Sequence, residues 1–458
     1  MATRAAAEVH ATVPPLAPER EASWPKRTRT VFDNGLEVVL AESHTIPKFH
    51  GELLFRSGNA AASHRGPGLA EMTAVVARTG TTKRTTRQIE EDLRRLGADL
   101  SSHAGADNSA IAFAGLSEFA EPLLSLVQEL AREASFPESE FERERRQKLE
   151  EVKLDHTQPG FLGSERLRKV LFGAHPYALV GPTEEQVRAY KREDLLTVYR
   201  DYYTPQNALL LMVGDFDSAT MLETAQRVFG SWNGERPVVS SSPEPPRPRN
   251  RRVSLVHVPG AQQAQILAGC HAINRKHPDW IKLGLTNSLY GGAFNSRLVM
   301  NIREDKGYTY SPRSGVNPLR EYGYFTISAA VRSDVVAASL TEIFYELDRL
   351  RALPVPEQEL ADARNYVSGV FSLGLATQDG LLSQLATVAL NQLPDDYLEM
   401  YRTRVRSLTS GDLLFAARKY LDSPNMQIVI VGDRTQIEQQ AALFGELHVY
   451  DAHGKRLS

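Results

Sequence analysis

Two histidines at i and i+4 on one helix share a face and can hold a zinc ion, with a glutamate between them acting as general base. None of the 12 histidines of this chain has a partner at that spacing. His271 and His277 stand six apart around Arg275 and Lys276, and they read as structural residues. The single cysteine, Cys270, excludes an internal disulfide framework and any multi-thiolate zinc site. It also lacks the local motif of a nucleophilic thiol, and no Gly-x-Ser-x-Gly elbow is present to build a serine triad. What remains is Arg303 and Tyr310, seven residues apart in an Arg-x3-Gly-x2-Tyr pattern. A guanidinium and a phenol are both hydrogen-bond donors, suited to a carbonyl oxygen and to an oxyanion developing on it. Taken alone, such a pair reads as surface charge. Its setting decides its meaning.

The elements that would position these groups come from a chain of 458 residues with 42% hydrophobic and 24% charged residues, an ordinary globular composition. At roughly 150 residues per domain the length suggests about three domains or two large ones. The net charge of -3 argues against a polyanion-binding protein. No apolar run approaches the roughly 18 residues needed to span a bilayer. Residues 1–27 read as a loose arm with no signal-peptide pattern, which leaves the compartment open between cytoplasm and periplasm.

An internal repeat sets the architecture. Phe136-Pro-Glu-Ser-Glu-Phe141 recurs as Val355-Pro-Glu-Gln-Glu-Leu360, and Leu211-Met-Val-Gly-Asp215 recurs as Val429-Ile-Val-Gly-Asp433, at offsets of 219 and 218. The reading is a tandem duplication of two α+β halves, residues 28–233 and 253–458. Between them lies a Pro-rich linker at 234–252, whose composition favours extended, exposed chain. Strands are expected at 35–40, 49–55, 110–114 and 208–213. Helices are expected at 86–96, 117–134 and 138–155, then at 335–350 and 356–373 in the second half. Gly307 is expected to end a helix that then runs into a loop and strand.

The motifs on these elements resemble those of the pitrilysin/insulinase-type zinc peptidases, the inverted zincins. Gly66-Pro-Gly-Leu-Ala-Glu-Met-Thr-Ala-Val-Val-Ala-Arg-Thr-Gly-Thr81 is similar to the family's metal-motif helix. His175-Pro-Tyr177, Tyr202-Tyr-Thr-Pro-Gln-Asn207 and Val213-Gly-Asp-Phe216 match its first half. Leu289-Tyr-Gly-Gly-Ala-Phe-Asn-Ser-Arg-Leu298 and Ile302-Arg-Glu-Asp-Lys-Gly-Tyr-Thr-Tyr310 match its second half. The similarity runs over about residues 28–445 and is closest to the mitochondrial-processing-peptidase-like branch. It implies a bowl-shaped fold of the LuxS/processing-peptidase type.

In that family zinc is held by His-x-x-Glu-His and a downstream Glu. The matching positions here are Glu71, Ala74 and Val75, with only the downstream Glu151 keeping the family type. Ala74 has no base and Val75 no ligand atom, and two carboxylates alone make a poor zinc site. The expectation is therefore no metal in this chain. Arg303 and Tyr310 fall on the family's Arg/Tyr pair, which binds substrate and stabilises the transition state. Gly291 and Gly292 match a glycine-rich loop that contacts substrate in the family's non-catalytic subunit, although a helix cap or tight turn equally accounts for them. Arg297 is a candidate substrate contact or a helix-face charge.

Two readings follow. In the first, the chain is the non-catalytic subunit of a two-chain peptidase. A homologous partner with the intact motif then holds the zinc, this chain supplies Arg303 and Tyr310 in trans, and the complex cleaves short or unfolded peptides. In the second, it is a structural or peptide-binding protein of the same fold, like the family's respiratory core proteins. Retention of Arg303 and Tyr310 favours the first.

Overall fold

The computed structural model describes residues 24–238 and 242–457. Most of the N-terminal arm, residues 1–23, lies outside the described residues, as do 239–241 of the linker. Two six-stranded sheets form the frame. The first contains β1 (Arg27–Val31), β2 (Glu37–Glu42), β3 (Lys48–Phe55), β4 (Asp99–Ala104), β5 (Ser109–Leu116) and β6 (Ala208–Gly214), in the order β1-β2-β6-β3-β5-β4. The second contains β7 (Arg252–His257), β8 (Gln263–Ala272), β9 (Arg313–Pro318), β10 (Gly323–Arg332), β11 (Gln427–Gly432) and β12 (Glu446–Tyr450), in the order β12-β7-β11-β8-β10-β9. Five positions correspond, since β2, β6, β3, β5 and β4 occupy the places of β7, β11, β8, β10 and β9. The outer strand differs: β1 runs antiparallel to β2, whereas β12 runs parallel to β7.

Both repeat anchors sit on equivalent elements. The two Val-Gly-Asp segments end the central strands β6 and β11, each parallel to its neighbour β2 or β7. The two x-Pro-Glu segments open long helices, Glu138–Asp155 and Glu357–Gly374, with Pro137 and Pro356 as the residues before the first turn. Proline is tolerated there because the first turn's N–H groups have no intrahelical acceptor. The helix at Thr86–Leu96 is closed by a capping box between Thr85 and Gln88 and buries Ile89 and Leu93. The first expected strand begins two residues late. A turn bonded from Phe32 N to Leu36 O holds residues 32–36 out of the ladder.

Each sheet is covered on its second face by a helix from the other half. Leu162, Leu167, Leu171 and Phe172 of the Pro159–Phe172 helix pack on Val256, Leu267, Val429 and Val431 of the second sheet. Gly163 permits the approach, because a methyl there would sit 2.2 Å from Leu267 Cδ1. Reciprocally, Leu381, Leu382 and Leu385 of the Gln378–Leu390 helix pack on Val39, Leu209, Leu211 and Val213 of the first sheet. Double coverage explains why β6 and β11 are buried along their whole length and read as continuous apolar runs. The described part of the linker is irregular and largely exposed, yet it is anchored. His271 Nε2 lies 2.9 Å from Pro246 O, and the Arg251 guanidinium stacks on Phe344 and donates to Ser423 O.

Candidate functional site

The Leu69–Ala77 helix carries Glu71, Ala74 and Val75, and the Glu138–Asp155 helix packed against it carries Glu151. Ala74 is fully buried and Val75 half-buried, so both positions present only hydrocarbon. The two carboxylates are brought together by Lys148, whose Nζ lies 2.9 Å from Glu71 Oε1 and 3.2 Å from Glu151 Oε1. Its side chain is only 13% exposed. Burial works against the Lys148 charge, but the hydrogen bond and attraction from Glu71, aided by Glu151, outweigh it and hold the ammonium above the usual lysine range. Among the described residues no group of three or more His, Cys, Asp or Glu side chains is placed to hold a metal ion. The residues at the motif positions therefore do not fit zinc. Two potential ligands are hydrocarbon, and the other two already neutralise an internal cation.

The second constellation lies at the end of a broken helix. After Trp280–Asn287 the chain winds into a π-helical turn at Ser288–Gly292, and a second π-helical segment follows at Val299–Asp305. Such wide turns are rare and occur frequently at functional sites. Gly307, with φ +63°, ends the segment, and the chain runs through a loop into β9, as its sequence implies. Asn301 Nδ2 donates to Glu342 and to Glu346 on the Val336–Ala352 helix, at 3.0 Å each, fixing the segment that carries Arg303. The Arg303 guanidinium is stacked between Phe294 and Tyr310, 4.8 Å from each ring centroid. Both rings face solvent, at 70% and 79% exposure. Among the described residues its one ion pair is with the neighbouring Glu304, Nε to Oε1 at 3.2 Å. A guanidinium held by aromatic rings, with no donor besides Nε engaged among the described residues, keeps its terminal N–H groups for a peptide carbonyl.

Arg297 and the glycines require correction. Arg297 makes a two-pronged pair with Glu359, Nε to Oε1 at 2.6 Å and Nη2 to Oε2 at 2.7 Å, with its side chain 9% exposed. It ties the loop to the Glu357–Gly374 helix, and its donors are not offered to substrate. Gly291 and Gly292 are not placed by a left-handed backbone. Instead a methyl at Gly291 would lie 2.6 Å from Ser314 Oγ on β9, and one at Gly292 would lie 2.7 Å from Asn287 Nδ2. Gly291 is buried, so of the two only Gly292 reaches the surface.

Other candidates resolve into structure. Tyr177 N donates to His175 Nδ1, Asp279 N donates to His277 Nδ1, and burial pushes the Cys270 thiol up to about 12, which leaves it inert as a nucleophile. Two residues escaped the sequence reading. Lys148 stands three residues before Glu151, a helix-neighbour pair legible in sequence, but its reach to Glu71 spans 77 residues. Phe294 lies inside the quoted Gly-Gly-Ala-Phe stretch without any local sign that it would cover a cation.

Comparison with known proteins bears on the family and the fold. Residues 37–176 match the family model described as insulinase (peptidase family M16), and residues 189–367 match that of the peptidase M16 inactive domain. Relatives include an uncharacterized zinc protease of Bacillus subtilis, 22% identical over 78% of this chain and 86% of that one. Another, from Streptomyces coelicolor, is 22% identical over 88% and 89%. Among solved structures, a peptidase M16 inactive domain from Pseudomonas fluorescens superposes with TM-score 0.84 at 25% identity, covering 89% of this chain and 98% of that one. A protease from Helicobacter pylori shares the fold at TM-score 0.84 and 20% identity, over 89% and 99%. With both family models matched in order along one chain, this protein belongs to the M16 peptidase family.

Proposed function

We propose that this chain is the non-catalytic subunit of a two-chain zinc metallopeptidase of the processing-peptidase-like branch, built by tandem duplication of one α+β unit. The observation that carries the reading is the Lys148 ammonium between Glu71 and Glu151, which gives the degenerate motif its own internal counter-charge. A homologous partner with an intact His-x-x-Glu-His supplies the metal and general base, and the two bowl-like chains enclose the substrate. This chain contributes Arg303 and Tyr310. The guanidinium, held between Phe294 and Tyr310, donates to the substrate carbonyl, and the exposed Tyr310 hydroxyl donates to the oxyanion as it forms. Short or unstructured peptides are the substrates that such a chamber admits.

The test is reconstitution. The isolated protein is expected to bind no stoichiometric zinc and to cleave no peptide, and addition of the partner is expected to yield cleavage of short unfolded peptides. Full activity of this chain alone would overturn the reading. A complex that forms but stays inactive would favour a structural role for the same fold.

A further inference from the structure

A cavity of about 610 Å³ opens where the two halves and the linker meet, lined by none of the residues of either constellation above. That size lies within the range of small-molecule sites. One wall is the face Leu162, Glu165, Arg166 and Lys169 of the Pro159–Phe172 helix. Val256 of β7, the turn at 451–454, and Ser242 and Pro243 of the linker complete the lining. Leu162, Val256, Ala178 and Pro176 give it an apolar floor.

Its charges are unevenly matched. Arg166 lies flat on Tyr450, with its guanidinium carbon 3.4 Å from the ring centroid, and its Nε donates to Ser254 Oγ at 3.3 Å. Among the described residues no carboxylate pairs with it. Burial weakens its hold on its proton, Tyr450 partly opposes this, and the nearby positive charge of Arg456 adds a smaller push in the same direction as burial. Lys169 also has no partner among the described residues, but Glu165 stands one turn away on the same helix face and can balance it. Asp451 is committed, its Oδ1 accepting from the backbone N–H groups of His453 and Lys455. His175 borders the cavity and is 3% exposed. Its Nδ1 accepts from Tyr177 N, so Nε2 carries the proton, and Nε2 makes no hydrogen bond although Glu321 Oε2 lies 3.5 Å away. The cavity thus combines an apolar floor with an arginine fork already stacked in place and without a carboxylate partner among the described residues, while His175 Nε2 is turned toward Glu321.

We propose that this cavity binds a small organic anion with an apolar body, its carboxylate or phosphate head held by the free prongs of Arg166 and its body on Leu162 and Val256. Fork-to-anion pairing supplies geometry as well as attraction, and the Tyr450 stack removes most of the ordering cost. Because the walls come from both halves, the ligand stabilises their mutual seating by mass action. The site is independent of the peptidase reading.

Titration calorimetry of the full chain with octanoate, octyl phosphate and neutral octanol tests it. Saturable one-to-one binding of at least one anion, with octanol at least tenfold weaker, is expected, and the tighter of the two anions identifies the head group. Arg166→Gln should weaken the anion at least tenfold. Glu165→Gln, which removes the one carboxylate on the same helix wall that would repel a bound anion, should strengthen it several-fold, a gain that misfolding cannot mimic. The proposal is overturned if neither anion saturates, if octanol binds equally well, or if Glu165→Gln leaves anion affinity unchanged or weaker.

Discussion

In the first half, the Leu69–Ala77 and Glu138–Asp155 helices close on one another through Lys148, and every charged group at the motif positions has an internal partner. In the second half, Arg303 stands between two solvent-facing rings with only its sequence neighbour Glu304 as an ion partner among the described residues. One region has its charges paired inside the chain, whereas the other leaves most guanidinium donors without a partner among the described residues. A charge with an internal counter-charge gains little from a ligand, because the ligand must first displace the partner. A stacked guanidinium with an open fork gains a full charge-assisted hydrogen bond. The contrast separates a site that has been closed from one that remains usable.

The sharpest way to break this comparison is at the open region. In the reconstituted complex, Arg303→Ala and Tyr310→Phe are each expected to lower turnover roughly 10²–10³-fold, the usual cost of losing one oxyanion donor. The complex should stay assembled on gel filtration. Unchanged turnover in both variants would remove the role in trans.

The closed region is probed by trying to reopen it. Glu71→His, Ala74→Glu and Val75→His together rebuild the metal pattern, yet with Lys148 in place a divalent ion would face an ammonium a few ångströms away. Zinc affinity by equilibrium dialysis is expected to rise at least tenfold when Lys148→Ala is added. Equal affinity with and without Lys148 would show that the ammonium does not guard the site.

Arg297 tests whether the second region has been bounded correctly. Arg297→Ala should cost about 2–3 kcal/mol in urea unfolding, because it orphans Glu359, and should leave turnover per folded complex unchanged. A loss of turnover without a loss of stability would return Arg297 to the substrate contacts. Gly291→Ala should cost about 1–2 kcal/mol by pushing β9 away at Ser314.

The smallest effect is the pH dependence of the Lys148 network. Lys148→Met is expected to cost only about 1 kcal/mol, since the Glu71 and Glu151 side chains are 35% and 52% exposed and water screens the pairs. Because the folded lysine is held above its ordinary value, its contribution is complete below about pH 10.4 and is lost as pH rises through the higher folded value. The stability gap between wild type and variant should therefore stay flat from about pH 6 to 9 and shrink only at strongly alkaline pH. A gap that closes near neutrality would mean that the pair does not carry the stabilisation.

Much of the frame was legible because it rests on local rules. The 138–155 helix follows from Pro137 and the run of helix formers behind it, and its bounds are those the sequence implies. The 117–134 stretch splits into a short 3₁₀ turn and the helix Ala120–Glu133, which the apolar spacing alone does not distinguish. The reason for the glycines at 291–292 is one that the sequence does not show. Their need is steric, set by Ser314 on a strand that follows later in the chain, and no turn signal in their own neighbourhood records it.

The sequence by itself determined that no pair of histidines can share a helix face, that Cys270 stands alone, and that strands and helices recur at a fixed offset, since each is a matter of residue identity and near spacing. Only the tertiary structure decided that Lys148 lies between the two carboxylates, that Arg297 belongs to Glu359, that Phe294 and Tyr310 hold Arg303, and that each half covers the other's sheet. Those outcomes depend on how separate helices and strands close around shared apolar faces. Burial then selects the charge partners, because an unpaired charge there costs more than any local preference can offset.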